Sequence, residues 1–260
     1  MKLRIALIAM LCEKGAIQEN TDKIISSLEK ASAKNIDIAI FPEMSLTGYA
    51  DPTKDSKSIL EQDSLKIKNY LDLTQNSPIT SLVGYIEKNP NGKPFIAQVV
   101  SNRGKIEGKY RKVTIVDEEE LWFAPGEEVP TFSYHNLKFG VVICADLSNE
   151  KLFADLKNKG VSIVFHPSAP GLYGEQATRN WQAGYEWWSD ECNTYLGQFA
   201  KKYGLWIASV SQAGRTVDED FPGGVFVFNP EGKNVFTTSD WNPRVVYLEI
   251  DLDTGKLSIL

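Results

Sequence analysis

Short apolar runs of strand length alternate along the chain with amphipathic stretches of helical period. The first run is LRIALIAML, and residues 18–34 follow it with apolar side chains at helical spacing. IDIAIF, at residues 36–41, is apolar and β-branched, which is typical of a strand covered on both faces. This order of elements predicts an α/β fold with a mixed sheet system.

Three later segments also predict helices. Residues 56–74 show a less regular helical pattern. SNEKLFADLKNKG predicts a helix with Ser148 as its N-cap and Gly160 as the glycine just past its end. From Trp181 to Phe199, large apolar residues recur at steps of three and four, which predicts a long helix with one buried face.

Composition and charge narrow the classes of protein. Hydrophobic residues make up 42% of the 260 positions and no linker or repeat divides them, so we expect a single domain over residues 1–260. The net charge of -6, with scattered basic residues, argues against nucleic-acid binding. No apolar run reaches the roughly 18 residues that span a bilayer, so we expect no membrane partner. Three cysteines without a CxxC pair indicate a reduced, cytoplasmic protein, and two histidines without HExxH make a metal site unexpected.

The segment FGVVICADL places Cys144 between a predicted strand and a predicted helix. A nearby helix N-terminus would stabilise a thiolate there, and the N–H of Ala145 would face the same space as an oxyanion donor. Asp146 disfavours a low thiol pKa unless its carboxylate points away. Taken alone, the segment is better explained by a small buried core cysteine.

Two other segments place ionisable residues next to predicted strands. In FPEMSLTGY, Pro42 ends a strand and Glu43 follows at its carboxyl end, where partial desolvation should raise the pKa of a general base. In GKYRKVTIVDEEELWFAPG, Lys112 follows a strand-like alternation, and its ammonium suits a tetrahedral oxyanion. Alone, each is better explained by a solvated surface position.

Together and in this order, the three segments resemble the carbon–nitrogen hydrolase, or nitrilase, superfamily, and the resemblance covers nearly the whole chain. FPEMSLTGY resembles its glutamate segment, GKYRKVTI its lysine segment and GVVICADL its nucleophile segment, while HPSA and GGVFVFNPEG also match. The resemblance implies Glu43 as general base, Lys112 as oxyanion stabiliser and Cys144 as nucleophile, with Ala145 giving its amide to the oxyanion.

The resemblance also implies supporting residues. Glu119 takes the place of a second glutamate that orients the lysine and the base, although Glu118 or Glu120 would take it if the loop is shifted. Tyr49 would line the substrate pocket. His166, in HPSA, either lines the pocket or forms a hydrogen bond at the end of its strand.

The fold implied by the resemblance is a four-layer αββα sandwich that forms a homodimer or higher oligomer through its helical layers.

The implied reaction needs no cofactor or metal: it cleaves a small linear amide or N-carbamoyl compound through a cysteine thioester. The Ala145-Asp146 pair argues against a nitrile substrate. CADL and LTGYADP are closer to glutaminase domains of glutamine-dependent NAD synthetases, but no synthetase domain follows, so a standalone ω-amidase or other small-amide hydrolase is favoured. The alternatives are a glutaminase-like or nitrile-hydrolysing member, or a catalytically silent binding subunit.

Overall fold

Two packed β-sheets form the centre of the protein in the computed structural model, which describes residues 1–260. The strands are β1 Lys2–Ala9, β2 Ile38–Ile40, β3 Ile59–Leu60, β4 Thr80–Glu87, β5 Phe95–Asn102, β6 Lys105–Arg111, β7 Phe132–Tyr134, β8 Leu137–Val141, β9 Ile163–Ser168, β10 Trp206–Ser211, β11 Ala213–Arg215, β12 Asp220–Pro222, β13 Val225–Phe228, β14 Asn234–Thr237, β15 Arg244–Asp251 and β16 Lys256–Ile259. The helices are α1 Ile17–Ser32, α2 Leu65–Thr74, α3 Glu119–Trp122, α4 Glu150–Asn158 and α5 Trp181–Tyr203.

The two sheets are mixed, as the alternating pattern predicts. The first has the order β16-β15-β1-β2-β4-β5-β6, with β3 paired to β4, and its β1, β2 and β4 are parallel. The second has the order β14-β13-β10-β9-β8-β7, with β8, β9 and β10 parallel. β11 and β12 form a separate two-stranded ribbon.

Alternate residues of β1 show how the layers are assembled. Leu3, Ile5 and Leu7 belong to the apolar cluster that joins the two sheets, and this cluster also holds the buried faces of α4 and α5. Ala6 and Ile8 point to the opposite face and pack with α1 and α2. A strand with period 2 therefore contacts the other sheet on one face and helices on the other. The two sheets pack face to face, with α1 and α2 covering the outer face of the first and α4 and α5 covering the second. These four layers are the αββα sandwich that the resemblance implies, and the expected fold class is confirmed.

Most of the predicted elements are present. The helix predicted after the first strand is α1, the strand predicted at IDIAIF contains β2, and the aromatic stripe lies on α5. Along α5, Tyr185, Trp188 and Cys192 are buried. Gly160 follows the C-cap of α4 with a φ of 81°, the left-handed conformation predicted for a glycine just past a helix.

Two local predictions are wrong. Residues 56–74 are not one helix, because a 3-10 turn and β3 come first and α2 begins only at Leu65, capped by Ser64. Ser148 is not the N-cap of α4. It ends a separate 3-10 turn, Cys144–Ser148, in which its hydroxyl donates to the carbonyl of Ala145, while the N-cap of α4 is Asn149.

The sheets bring several strand ends to one edge of the molecule. Glu43 follows β2, Cys144 follows β8, and Ala169 follows β9 directly. The N–H of Ala169 donates to Glu43 Oε2 at 2.9 Å, so the carboxyl ends of strands from both sheets meet there. Such an edge is where sites gather in α/β folds.

Candidate active site

The turn that carries Glu43 lies directly on β4. Met44 has a φ of 50°, and the hydroxyl of Ser45 accepts a hydrogen bond from the N–H of Gly84 at 3.0 Å. A β-carbon on Gly84 would clash with the backbone nitrogen of Met44. The absence of a side chain at Gly84 therefore lets the turn approach the strand and directs Glu43 inward, where its side chain is fully buried.

Lys112 joins two carboxylates in the interior. Its Nζ is 3.0 Å from Glu43 Oε1, and 2.6 and 2.9 Å from the two carboxylate oxygens of Glu119. All three residues are buried. Of the three consecutive glutamates, Glu119 is therefore the one that contacts the lysine, while the neighbouring Glu118 and Glu120 are exposed.

The electrostatics of this group favour a proton acceptor next to a permanent cation. Burial raises the pKa of Glu43 to about 7; the ammonium of Lys112 opposes the shift and the carboxylate of Glu119 adds to it. Burial alone would lower the pKa of Lys112, but the carboxylates of Glu43 and Glu119 outweigh it and hold that pKa above its ordinary value. Lys112 therefore remains an ammonium while Glu43 can exchange a proton near neutral pH.

Cys144 opens the 3-10 turn after β8 with a φ of 44°, a conformation that is uncommon for a residue other than glycine. Its thiol lies beside the carboxylate of Glu43. Burial, followed by the nearby carboxylate of Glu43, raises the pKa of the thiol well above its usual range. The expected stabilisation of a thiolate by a helix N-terminus is absent, because α4 begins six residues after Cys144. Ionisation of this thiol therefore requires a base.

The carboxylate of Asp146 is bound by three hydrogen-bond donors, and the thiol of Cys144 is not among them. It accepts hydrogen bonds from the N–H of Ile143 at 2.9 Å, the N–H of Thr114 at 2.7 Å and the hydroxyl of Tyr110 at 2.7 Å. Asp146 thus links the turn of the cysteine to the segment that carries the lysine. Sequence reasoning missed this link, because the residues are more than thirty positions apart.

Tyr49 reaches the same group from the glutamate segment. Its hydroxyl donates to Glu119 Oε1 at 2.6 Å, and its ring lies against Phe221, with the two centroids 6.2 Å apart. Burial, together with the charge of Glu119, raises the pKa of Tyr49, so its hydroxyl keeps its proton. Tyr49 therefore orients Glu119, and its role as a pocket wall stays a prediction.

His166 contacts the backbone of Cys144 and so forms the hydrogen bond that was one of the two possibilities left open by the sequence. Its Nε2 is 3.0 Å from the carbonyl oxygen of Cys144, and its Nδ1 is 2.8 Å from Ser209 Oγ. The ring is fully buried, and burial lowers the pKa of His166 to about 4. It is therefore a neutral hydrogen-bonding group at the end of β9.

The segment that follows β9 is held close to the site by residues that the sequence did not indicate. The guanidinium of Arg179 donates to the carbonyls of Leu172 and Tyr173, and its Nε lies 2.8 Å from Asp220 Oδ2. Asp220 is fully buried. This ion pair connects the segment between β9 and α5 to β12, because Arg179 and Asp220 are 41 residues apart in the chain.

The remaining chemical groups lie apart from this arrangement. Cys12 and Cys192 are fully buried, and burial raises the pKa of both thiols. No group of three or more histidine, cysteine or carboxylate side chains is placed to hold a metal ion. None of the helices has the length and apolar character needed to cross a membrane.

Comparison with known proteins confirms the family that the motifs suggest. Residues 4–257 match the family model described as carbon-nitrogen hydrolase, and the chain therefore belongs to that family. It is 28% identical to a glutamine-dependent NAD(+) synthetase of Synechocystis sp. over 98% of this chain, and the match covers 47% of that protein. The chain thus spans about half the length of that relative.

Two further proteins match this chain over nearly its full length and nearly their own. A probable nitrilase of Schizosaccharomyces pombe is 22% identical, and the match covers 98% of this chain and 91% of that protein. The crystal structure of an amidase from Nesterenkonia sp. superimposes with a TM-score of 0.82 at 20% identity, covering 98% of this chain and 93% of the amidase. At this identity the structural match establishes the fold, which is that of the carbon–nitrogen hydrolases.

Proposed function

We propose that this protein hydrolyses a non-peptide C–N bond in a small linear amide or N-carbamoyl compound, with Cys144 as nucleophile. The observation that carries the proposal is the contact of three groups from distant segments. The carboxylate of Glu43 lies beside the Cys144 thiol and 3.0 Å from Lys112 Nζ. A base, a thiol and a fixed cation at one strand edge suit acyl transfer through a thioester.

The first half of the reaction forms the thioester. Glu43 takes the thiol proton as Cys144 Sγ attacks the carbonyl carbon, and the C=O bond becomes an oxyanion. The ammonium of Lys112 and the N–H of Ala145 stabilise this charge. Glu43 then gives its proton to the departing nitrogen, the C–N bond breaks, and ammonia or an amine leaves.

The second half consumes water. Glu43, again a carboxylate, takes a proton from a water molecule whose oxygen attacks the thioester carbon. The second oxyanion occupies the same position, next to Lys112. When the C–S bond breaks, the sulfur recovers the proton from Glu43 and the carboxylic acid is released.

A glutaminase role is the second candidate. It is favoured by the similarity to a glutamine-dependent NAD(+) synthetase along nearly the whole of this chain, which spans about half of that relative. In that role the ammonia released from glutamine would be used by a synthetase. The site chemistry is the same for both candidates, so the substrate distinguishes them.

A substrate panel tests both candidates. We would measure ammonia release from glutamine, other ω-amides, aliphatic amides, N-carbamoyl amines and nitriles, with Cys144→Ala as the matched control. We expect turnover of amides or carbamoyl compounds by the wild type and none by Cys144→Ala, which should remain folded by circular dichroism. Glutamine as the preferred substrate would favour the glutaminase role, and turnover retained by Cys144→Ala would refute the mechanism.

The catalytically silent alternative predicts a different thiol reactivity. In a hydrolase, Glu43 should make Cys144 the most reactive of the three cysteines toward iodoacetamide in the folded protein. Cys12 and Cys192 serve as internal controls, because both are fully buried. Mass spectrometry of the labelled peptides would reveal a silent subunit as equal, slow labelling at all three positions.

A further inference from the structure

The imidazole of His166 takes no part in the proton transfers above, yet it binds the backbone of the nucleophile. Its Nε2 lies 3.0 Å from the carbonyl oxygen of Cys144. Because a carbonyl oxygen only accepts hydrogen bonds, Nε2 must carry the proton of the neutral ring. Nδ1 then accepts from the hydroxyl of Ser209, 2.8 Å away. The two partners together select one tautomer of His166.

The ring is held in place from several sides. His166 and Ser209 are paired residues of the neighbouring parallel strands β9 and β10. The indole of Trp188, from α5, stacks on the imidazole with the ring centroids 6.1 Å apart. His166 and Ser209 are fully buried. The direction of the Nε2–H bond is therefore set by elements outside the turn of the cysteine.

The carbonyl that His166 binds belongs to the peptide group between Cys144 and Ala145. This group is planar and trans, so its C=O and N–H bonds point in opposite directions. A hydrogen bond that holds the carbonyl toward His166 consequently turns the Ala145 N–H the other way. In the proposed reaction, that N–H is one of the two donors to the oxyanion.

The turn needs such a constraint because its backbone is strained. Cys144 has a φ of 44°, which a residue with a β-carbon adopts at a cost unless its surroundings hold it there. Asp146 constrains the backbone just before Cys144, because its carboxylate accepts a hydrogen bond from the N–H of Ile143 at 2.9 Å. The His166 hydrogen bond constrains the following peptide.

We propose that His166 is a positioning residue that orients the Cys144–Ala145 peptide and thereby keeps the oxyanion site formed. The inference rests on the proposed amide hydrolysis. Without the Nε2–H donor, the peptide is free to rotate, and the Cys144 carbonyl oxygen would then face the developing oxyanion and oppose it. Alkylation of the thiol by iodoacetamide forms no oxyanion, so it requires Cys144 and Glu43 but not this peptide orientation.

The test compares turnover with alkylation in matched variants. His166→Phe keeps a planar ring but removes the donor, and we expect kcat to fall about 100-fold, the scale of losing one oxyanion donor. KM and the rate of Cys144 alkylation should each change less than about threefold. His166→Gln retains an N–H donor and should recover at least about tenfold of the lost kcat. His135→Asn, in the hairpin between β7 and β8, is the control and should leave kcat unchanged.

Several results would overturn the inference. An unchanged kcat in His166→Phe would do so, as would equal losses of turnover and alkylation, which indicate general damage to the site. If His166→Phe does not fold, Ser209→Ala replaces it: we expect a several-fold loss of kcat with alkylation retained, and an unchanged kcat would contradict the role. Absence of amide turnover in the wild type would refute the proposed function and this inference together, whereas wild-type turnover with an unaffected His166→Phe would refute the inference alone.

Discussion

Two carboxylates share one ammonium in the interior of this protein, and that imbalance gives the site its chemical character. Lys112 contacts both Glu43 and Glu119, so one negative charge is left over in a buried space. Burial of a charge is costly, which favours proton uptake by the group. Glu43, next to the thiol of Cys144, is the carboxylate whose pKa is raised, to about 7.

The first prediction concerns the pH dependence of catalysis. The base form of Glu43 is the deprotonated one, so kcat/KM should rise with pH through about 7 and fall about tenfold per unit below it. Lys112 has a pKa above its ordinary value, so its ammonium should persist and cause no loss up to about pH 10. Initial rates at low substrate from pH 5 to 10 measure this profile. A rate independent of pH down to 5 would contradict the assignment of the base.

The second prediction concerns the cation. Lys112→Met should reduce kcat by about a hundredfold or more, because an oxyanion donor is lost. It also leaves Glu43 and Glu119 buried without a counter-charge, so we expect a loss of about 3–5 kcal/mol in the free energy of unfolding, measured in urea.

The double variant Lys112→Met/Glu119→Gln separates these two effects. Removing the second carboxylate should restore part of the stability, since only one buried charge remains, but it should not restore turnover. Recovery of activity in the double variant, or a loss of kcat under about threefold in Lys112→Met alone, would show that Lys112 does not contact the oxyanion.

At the scale of elements, the turn after β2 depends on the strand beside it. The backbone of Met44 passes directly over Gly84 of β4, and the Ser45 hydroxyl accepts from the N–H of Gly84. A pattern of apolar residues predicts β2 and β4 separately, but not this contact. Gly84 fits a strand in the sequence pattern, but the reason for a glycine there, the close passage of the Met44 backbone, is visible only in the tertiary structure.

The third prediction tests that contact. Gly84→Ala should destabilise the protein by about 1–3 kcal/mol, the range for overpacking, and should lower kcat because the turn carrying Glu43 is displaced. Gly92→Ala is the matched control, since its nearest neighbouring atom is 3.7 Å from the added carbon. Denaturation midpoints and kcat would be measured for both variants, and equal effects would contradict the proposed clash.

At the scale of the whole molecule, the helical layers present apolar side chains to solvent. Trp187 on α5 is 40% exposed, and Leu65 on α2 is 84% exposed. Aromatic residues are enriched at protein interfaces relative to the rest of the surface. The single domain over residues 1–260, the homodimer and the cytoplasmic location stay predictions, and the exposed tryptophan suggests where a dimer contact would lie.

The fourth prediction follows from that exposure. We expect the wild type to sediment as a dimer or larger species in analytical ultracentrifugation, and Trp187→Glu to shift it toward the monomer. Leu65→Glu, on the helical layer of the other sheet, should leave the mass unchanged. A monomeric wild type, or the reverse response of the two variants, would place the contact elsewhere or exclude it.

The sequence by itself determined which residues stand at the ends of strands. Pro42 ends a β-branched run just before Glu43, Cys144 follows an apolar run, and Lys112 follows a strand-like alternation. These are local properties, because side-chain period and the missing N–H of proline act over a few residues. Together with the order of the motifs, they form the family resemblance that implies the αββα fold and its candidate catalytic residues.

Only the tertiary structure decided what those residues contact. It brought Glu119, among three consecutive glutamates, to Lys112, joined Asp146 to Tyr110, and placed His166 on the carbonyl of Cys144. Each of these partners lies on another element, so the choice depends on how strands and helices pack. The segment FGVVICADL supplies the thiol, while the burial that raises its pKa and the base that can remove its proton come from other parts of the chain.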